Sequence, residues 1–129
     1  MKEVMAVIRQ NKINQTKEAL VEAGFSAFTA RKVFGRGKGL VDQVTLEGAS
    51  QGCTDAIAQL GQHPQFYPKR LLTIVVPDDK VSKLVQTLID VNKTSRPGDG
   101  KIFVMPVLEA YRVRTGEVGA DAIDEVSSK

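Results

Sequence analysis

The stretch Leu71-Leu72-Thr73-Ile74-Val75-Val76-Pro77-Asp78-Asp79 opens the clearest structural unit in the chain. Its first six residues are apolar or β-branched and suit a buried strand, which Pro77 ends. Asp78 or Asp79 can cap a following helix, in which Val81, Leu84, Val85, Leu88 and Val91 recur at helical spacing. A loop rich in Gly and Pro, Thr94 to Gly100, leads into Ile102-Phe103-Val104-Met105-Pro106-Val107, a second strand. The unit therefore reads strand, helix, strand.

The same unit is legible upstream with a weaker signal. Val4-Met5-Ala6-Val7-Ile8 is a short apolar run, and Asn14 is a helix N-cap candidate. Leu20 and Ala23 fall on the helix face begun by Ile13, and Gly24 supplies the stop. Phe25 to Val33 then returns as a strand alternating around Phe28, Ala30 and Lys32. Two such units predict an α+β fold of the ferredoxin-like type, βαβ–βαβ, a four-stranded antiparallel sheet with two helices on one face. Between them, residues 35–68 form a connection far longer than usual, containing six of the 11 glycines. Loops of that length are functional or disordered. Ala56-Ile57-Ala58 with Leu60 can form one turn of helix inside it. The polar tail after Thr115 is expected to be mobile or to order on binding.

At 129 residues the chain holds one domain's core, and its 42% hydrophobic and 26% charged residues are ordinary for a soluble protein. No apolar run approaches the roughly 20 residues of a membrane span. The start, Met1-Lys2-Glu3-Val4-Met5, lacks a secretory core, so a cytoplasmic location is expected. A single cysteine, Cys53, excludes an internal disulfide, and Cys53 with His63 does not make a metal-ligand spacing. A net charge of +3 permits phosphate-bearing ligands but does not argue for nucleic acid, with only 2 Tyr and 5 Phe to stack bases.

Three clusters carry candidate chemistry. Gly35-Arg36-Gly37-Lys38-Gly39 follows a strand, where close glycines let backbone N–H groups approach an anion; a solvated loop is the ordinary alternative. Gly98-Asp99-Gly100-Lys101 precedes a strand and reads either as a tight turn or as a second anion loop. Arg112-Val113-Arg114, on an extended segment, would aim two guanidiniums to one side. Together the clusters describe a phosphate cradle. No nucleophile–base pair or matched carboxylates accompany it, so an enzyme, such as a slow ATPase, is not expected.

At these residues the sequence resembles the PII family of nitrogen-signalling proteins. The resemblance rests on Thr94-Ser95-Arg96-Pro97-Gly98-Asp99-Gly100-Lys101-Ile102-Phe103-Val104, on Pro68-Lys69, on Ile74-Val75-Val76-Pro77-Asp78-Asp79, and on Arg112-Val113-Arg114-Thr115-Gly116. It implies a single PII-like domain over residues 1–115, a T-loop at about 36–67, and a flexible tail over 116–129. It also implies a trimer with ATP or ADP held between subunits, and Mg2+ bound through the ATP. By position, Val7, Thr29, Gly35, Gly37, Lys38, Val75, Gly98, Asp99, Gly100, Lys101, Arg112 and Arg114 would line the nucleotide site. Lys69 matches the family lysine that pairs with a carboxylate of 2-oxoglutarate.

Two departures from the family pattern bear on function. Gly39 replaces the usual glutamine that helps hold the metal and 2-oxoglutarate; backbone groups or Gln43 would have to substitute. The bacterial loop pattern appears as Leu46-Glu47-Gly48-Ala49-Ser50-Gln51, so the tyrosine that receives a uridylyl group is Gln51 and that modification is not expected. The longer, tyrosine-free loop is similar to that of PII-like regulators encoded with nitrogenase genes, in particular the longer-loop member of each pair. That likeness implies a sister PII-like subunit and the dinitrogenase component as partners, with ATP and 2-oxoglutarate relieving inhibition. The alternatives are regulation of an ammonium channel or another nitrogen-metabolism target, and a purely structural trimer. A channel plug is disfavoured because Glu47 stands where such loops carry an arginine, and no Arg or Lys occurs between Lys38 and Lys69.

Overall fold

A computed structural model describes residues 1–37 and 66–123. Strand β1 (Lys2–Arg9) passes through a short 3-10 turn into helix α1 (Ile13–Glu22), followed by β2 (Thr29–Gly35). The second unit is β3 (Tyr67–Val76), a 3-10 turn, helix α2 (Val81–Asn92) and β4 (Lys101–Pro106). The sheet order is β2-β3-β1-β4 with every neighbouring pair antiparallel, so the expected ferredoxin-like arrangement is the observed one. The turn of helix expected at Ala56 to Leu60 lies outside the described residues.

Register fixes the two faces of the sheet. Val4 pairs with Ile74 and Val104, and Ala6 with Leu72 and Ile102. With Ile8 and Val76, the β1 and β3 members of this set face Leu20, Phe25, Leu84 and Leu88, forming one buried core. Ile13, Ala23, Val81, Val85 and Ile102 pack around it. Each fully buried Leu, Ile or Val contributes about 1.5–3 kcal/mol. The opposite face presents Glu3, Met5 and Val7 of β1, with Lys69, Thr73 and Val75 of β3 and Lys101, Phe103 and Met105 of β4. Among the described residues no helix covers it.

Several local expectations are corrected. The 3-10 turn Gln10–Lys12 extends the helical stretch toward Arg9, so Asn14 lies inside α1 and no side-chain cap forms. Asp78 does not cap α2; its carboxylate pairs with the Met1 amino group at 2.9 Å. That pairing holds the Asp78 carboxyl below the usual carboxylate range. Strand β2 begins at Thr29 rather than Phe25. Gly24, at φ +97°, ends α1 with bonds from Gly24 N to Val21 O (3.1 Å) and Phe25 N to Leu20 O (2.8 Å). This is the paired 6→1 and 5→2 closure of a left-handed helix stop. Phe25 thereby turns into the core and Phe28 packs beside it, so neither is available to a strand. Residues 116–123, expected to form a tail, return beside 110–112 as the second arm of a hairpin.

Because Leu84 is fully buried at the centre of this core, Leu84→Ala is expected to lower unfolding free energy by about 2–5 kcal/mol. Val21→Ala, on the exposed side of α1, should change it by less than about 0.5 kcal/mol. Urea denaturation followed by circular dichroism distinguishes the two.

Candidate functional site

The loop between α2 and β4 folds around Asp99. Its Oδ2 accepts from the backbone N–H groups of Thr94 (2.8 Å) and Ser95 (3.0 Å). Its Oδ1 accepts from the Thr94 hydroxyl and from Nη2 of Arg9 at 3.2 Å. Burial alone would raise this carboxyl, but the bonds from Thr94, Arg9 and Ser95 outweigh it and hold the pKa down at about 2. The loop then passes close over β1. A Cβ on Gly100, at φ +105°, would sit 1.8 Å from the Val7 carbonyl oxygen, so no other residue fits there. Gly98 is also left-handed, and a Cβ on it would come within 3.3 Å of the Arg9 guanidinium.

Two cations of the sheet meet this loop. Arg9, at the end of β1, donates to the Pro97 carbonyl at 2.8 Å. Lys69, directly opposite Arg9 in register, donates from Nζ to the Gly98 carbonyl at 2.9 Å. Burial and then the neighbouring Arg9 charge lower the Lys69 pKa, and Asp99 partly offsets them. Among the described residues, Arg9 Nε is buried with no acceptor. Buried polar groups nearly always have a partner, so this unpaired N–H is an exception.

A cavity of about 450 Å³ opens here. Val7, Gly35, Gly37, Lys69, Gly98, Gly100 and Lys101 of the expected nucleotide and effector residues all line it, joined by Arg36, Pro97 and Phe103. Asp99 lies just behind, with its carboxylate committed to the loop rather than offered to the cavity. A groove of about 420 Å³ runs along the other side of β4, between Val104 and the α2 residues Val85 and Ile89. Among the described residues no His, Cys, Asp and Glu cluster could hold a metal ion.

The remaining expected residues stand elsewhere. Thr29 pairs with Thr73 in the mid-sheet row of Met5 and Phe103, and Val75 pairs with Glu3, toward the sheet end where Lys2 meets Val76 and Pro106. Arg112 and Arg114 follow β4 beyond that end. The six residues of β4 span about 20 Å, and neither arginine is among the residues lining the cavity beside the Gly98–Lys101 loop. Arg112 and Arg114 are also not on one extended segment: Gly116 N bonds back to the Arg112 carbonyl at 2.7 Å, making a turn. Lys38 lies outside the described residues, as do Gly39, Gln43, Glu47 and Gln51. Arg9 is the site residue that sequence reasoning missed. Its partners are 88 and 90 positions away, and a lone arginine after a strand carries no spacing signal.

Fold and site together define a ferredoxin-like protein with a cationic, glycine-lined cavity at the base of a long inter-strand loop. The family model for nitrogen regulatory protein P-II matches residues 1–117. The chain belongs to the P-II family. It is 47% identical over 125 residues to nitrogen fixation nifHD region GlnB-like protein 2 of Methanobacterium ivanovii, covering 95% of this chain and 99% of that one. It is 43% identical over 123 residues to nifHD1 region GlnB-like protein 2 of Methanosarcina barkeri, covering 95% and 99%. Among solved structures, PII of Arabidopsis thaliana bound to citrate matches with a TM-score of 0.70 and 31% identity, covering 94% of this chain and 87% of that one.

The Asp99 bonds carry a pH signature. A carboxyl at about 2 in the folded chain and about 3.9 unfolded contributes stability that is full above about pH 4 and lost as pH falls toward 2. In Asp99→Asn that acid-sensitive increment should disappear: the variant should be less stable than wild type at pH 6, with the gap narrowing toward pH 2.5. Thermal unfolding across this range measures it.

Proposed function

We propose that this chain is a nitrogen-status sensor that binds ATP or ADP and 2-oxoglutarate and inhibits nitrogenase through its long inter-strand loop. The observation that carries the reading is the cavity where Lys69, Arg36 and Lys101 meet the Gly98–Gly100 backbone at that loop's base. Lys101 and the glycine loop suit phosphate: glycines permit close backbone approach and the ammonium neutralises charge. Lys69, which lines the same cavity, suits a carboxylate. Mg2+ would be held through the nucleotide's phosphates, where it would supply charge neutralisation. No step of covalent chemistry is assigned to any residue, in keeping with regulation rather than catalysis.

The proposed nucleotide site needs a second chain. Val75 stands in the Glu3–Met105 row, away from the Val7–Lys101 row, Arg112 and Arg114 follow β4 past its far end, and the sheet's uncovered face offers apolar Met5, Val7, Phe103 and Met105 to a partner. A trimer, of this chain alone or with a sister PII-like subunit, joins one end of each sheet to the other end of its neighbour. The assignment of nitrogenase as target draws on the nifHD-region names of the relatives and on the loop's length.

Calorimetric titration with Mg-ATP, with and without 2-oxoglutarate, tests the sensor reading. ATP binding strengthened by 2-oxoglutarate is expected, and Lys69→Met should reduce the strengthening roughly tenfold or more, the loss that follows removal of a charge-assisted bond. Absence of nucleotide binding overturns the reading. The target is tested separately by deleting residues 51–65 and assaying purified nitrogenase with the sister subunit present. Inhibition should be lost, and inhibition that survives the deletion excludes direct contact through that loop.

A further inference from the structure

The segment after β4 folds back tightly on itself. Tyr111 bridges Val118, Arg112 N donates to the Glu117 carbonyl at 2.8 Å, and Gly119 N donates to the Ala110 carbonyl at 2.9 Å. This hairpin encloses the Arg112 guanidinium. Its Nη2 donates to the Asp121 carbonyl at 3.1 Å, and its Nη1 lies 3.8 Å from Oε1 of Glu117. The Thr115 hydroxyl donates to that same Oε1 at 2.7 Å and accepts from the Glu117 backbone N–H at 3.2 Å. Glu117 is thus fixed before it meets the arginine. The Arg112 side chain is 26% exposed although it stands on a surface hairpin.

We propose that Glu117 is a positioning residue for Arg112, setting the guanidinium's direction in the free protein so that an anionic ligand group meets it already ordered. The inference rests on the reading of Arg112 as a phosphate contact, and it extends the working site beyond residue 115 into the hairpin's return arm. The physical argument separates two quantities. An exposed ion pair contributes little to folding, so the contact's value is not stability. Arginine has many rotamers, and binding that must immobilise a free one is weaker than binding to one held in advance. A carboxylate that is itself held by Thr115 can serve as that hold, whereas a mobile glutamate could not.

The test uses the full-length protein in four forms: wild type, Glu117→Ala, Arg112→Ala and the double variant. Mg-ATP affinity is measured by calorimetry, and order at the Arg112 Nε by nitrogen-15 relaxation without ligand. Glu117→Ala should raise the Nε mobility of Arg112 and weaken Mg-ATP binding about three- to tenfold. In the Arg112→Ala background it should cause no further loss, because its effect runs through that side chain. Unchanged Nε order, unchanged or tighter binding in Glu117→Ala, or additive losses in the double variant each overturn the inference. Wild-type protein that does not bind Mg-ATP overturns the functional reading instead, and the relaxation measurement still decides whether Glu117 orders Arg112.

Discussion

A carboxylate offers about four lone-pair positions, and at Asp99 four donors converge: two backbone N–H groups, one hydroxyl and one guanidinium. The shape of the loop from Thr94 to Gly100 depends on this convergence. Three of its residues, Ser95, Gly98 and Gly100, are left-handed. For Ser95, which has a Cβ, that conformation costs about 1–2 kcal/mol, and the bond from its own N–H to Asp99 offsets part of it. Once the loop is so shaped, the Pro97 and Gly98 carbonyls point at Arg9 and Lys69. Gly100 can then lie against β1. The cavity's cations are therefore located by a carboxylate that does not enter the cavity.

The sheet decides what the loop can reach. With β1 in the interior of the order β2-β3-β1-β4, it is paired on both sides from Lys2 to Val7, and Ile8 and Arg9 pair with β3 alone. One end carries Arg9 opposite Lys69 and Val7 opposite Lys101; the other carries Lys2 between Val76 and Pro106. Of the expected nucleotide residues within the sheet, Lys101 stands in the Val7 row and Val75 in the Glu3 row. A flexible chain could fold such groups together, but a hydrogen-bonded sheet cannot. This separation is the physical reason the proposed nucleotide site is assigned to two chains rather than to a pocket within one.

Most of the fold was legible because its signals are local. The run at Leu71 to Val76 and the helical spacing from Val81 to Leu88 each lie within a few residues, and both elements form, the strand starting four residues earlier at Tyr67, inside the stretch read as connection. Gly24 was legible as a helix stop for the same reason. The failures share a cause as well. Phe25 and Phe28 look like strand residues by composition, yet tertiary packing against Leu20 claims them for the core. Asp78 looks like a cap, but an amino group distant in sequence binds it. The bond from Arg9 to Asp99 was not read at all, because it joins residues 90 positions apart. Glycine clusters announce a loop that approaches something; they do not say that the first thing approached is the protein's own strand.

The electrostatics of the cavity link its floor to the loop. Arg9 and Lys69 are neighbours of like charge, and the Asp99 carboxylate they share is already bonded to Thr94 and Ser95. The lowered pKa of Lys69 expresses the imbalance: burial and Arg9 disfavour the ammonium more than Asp99 supports it. An anionic group entering the cavity would reverse this by stabilising the ammonium. It would also compete with the Gly98 carbonyl for the Lys69 Nζ. Gly35 packs against that same lysine side chain, with Lys69 Cγ 3.7 Å from where a Cβ on Gly35 would stand. A ligand that draws Lys69 away from Gly98 thus acts at once on the loop before β4 and on the strand end from which the long inter-strand loop departs.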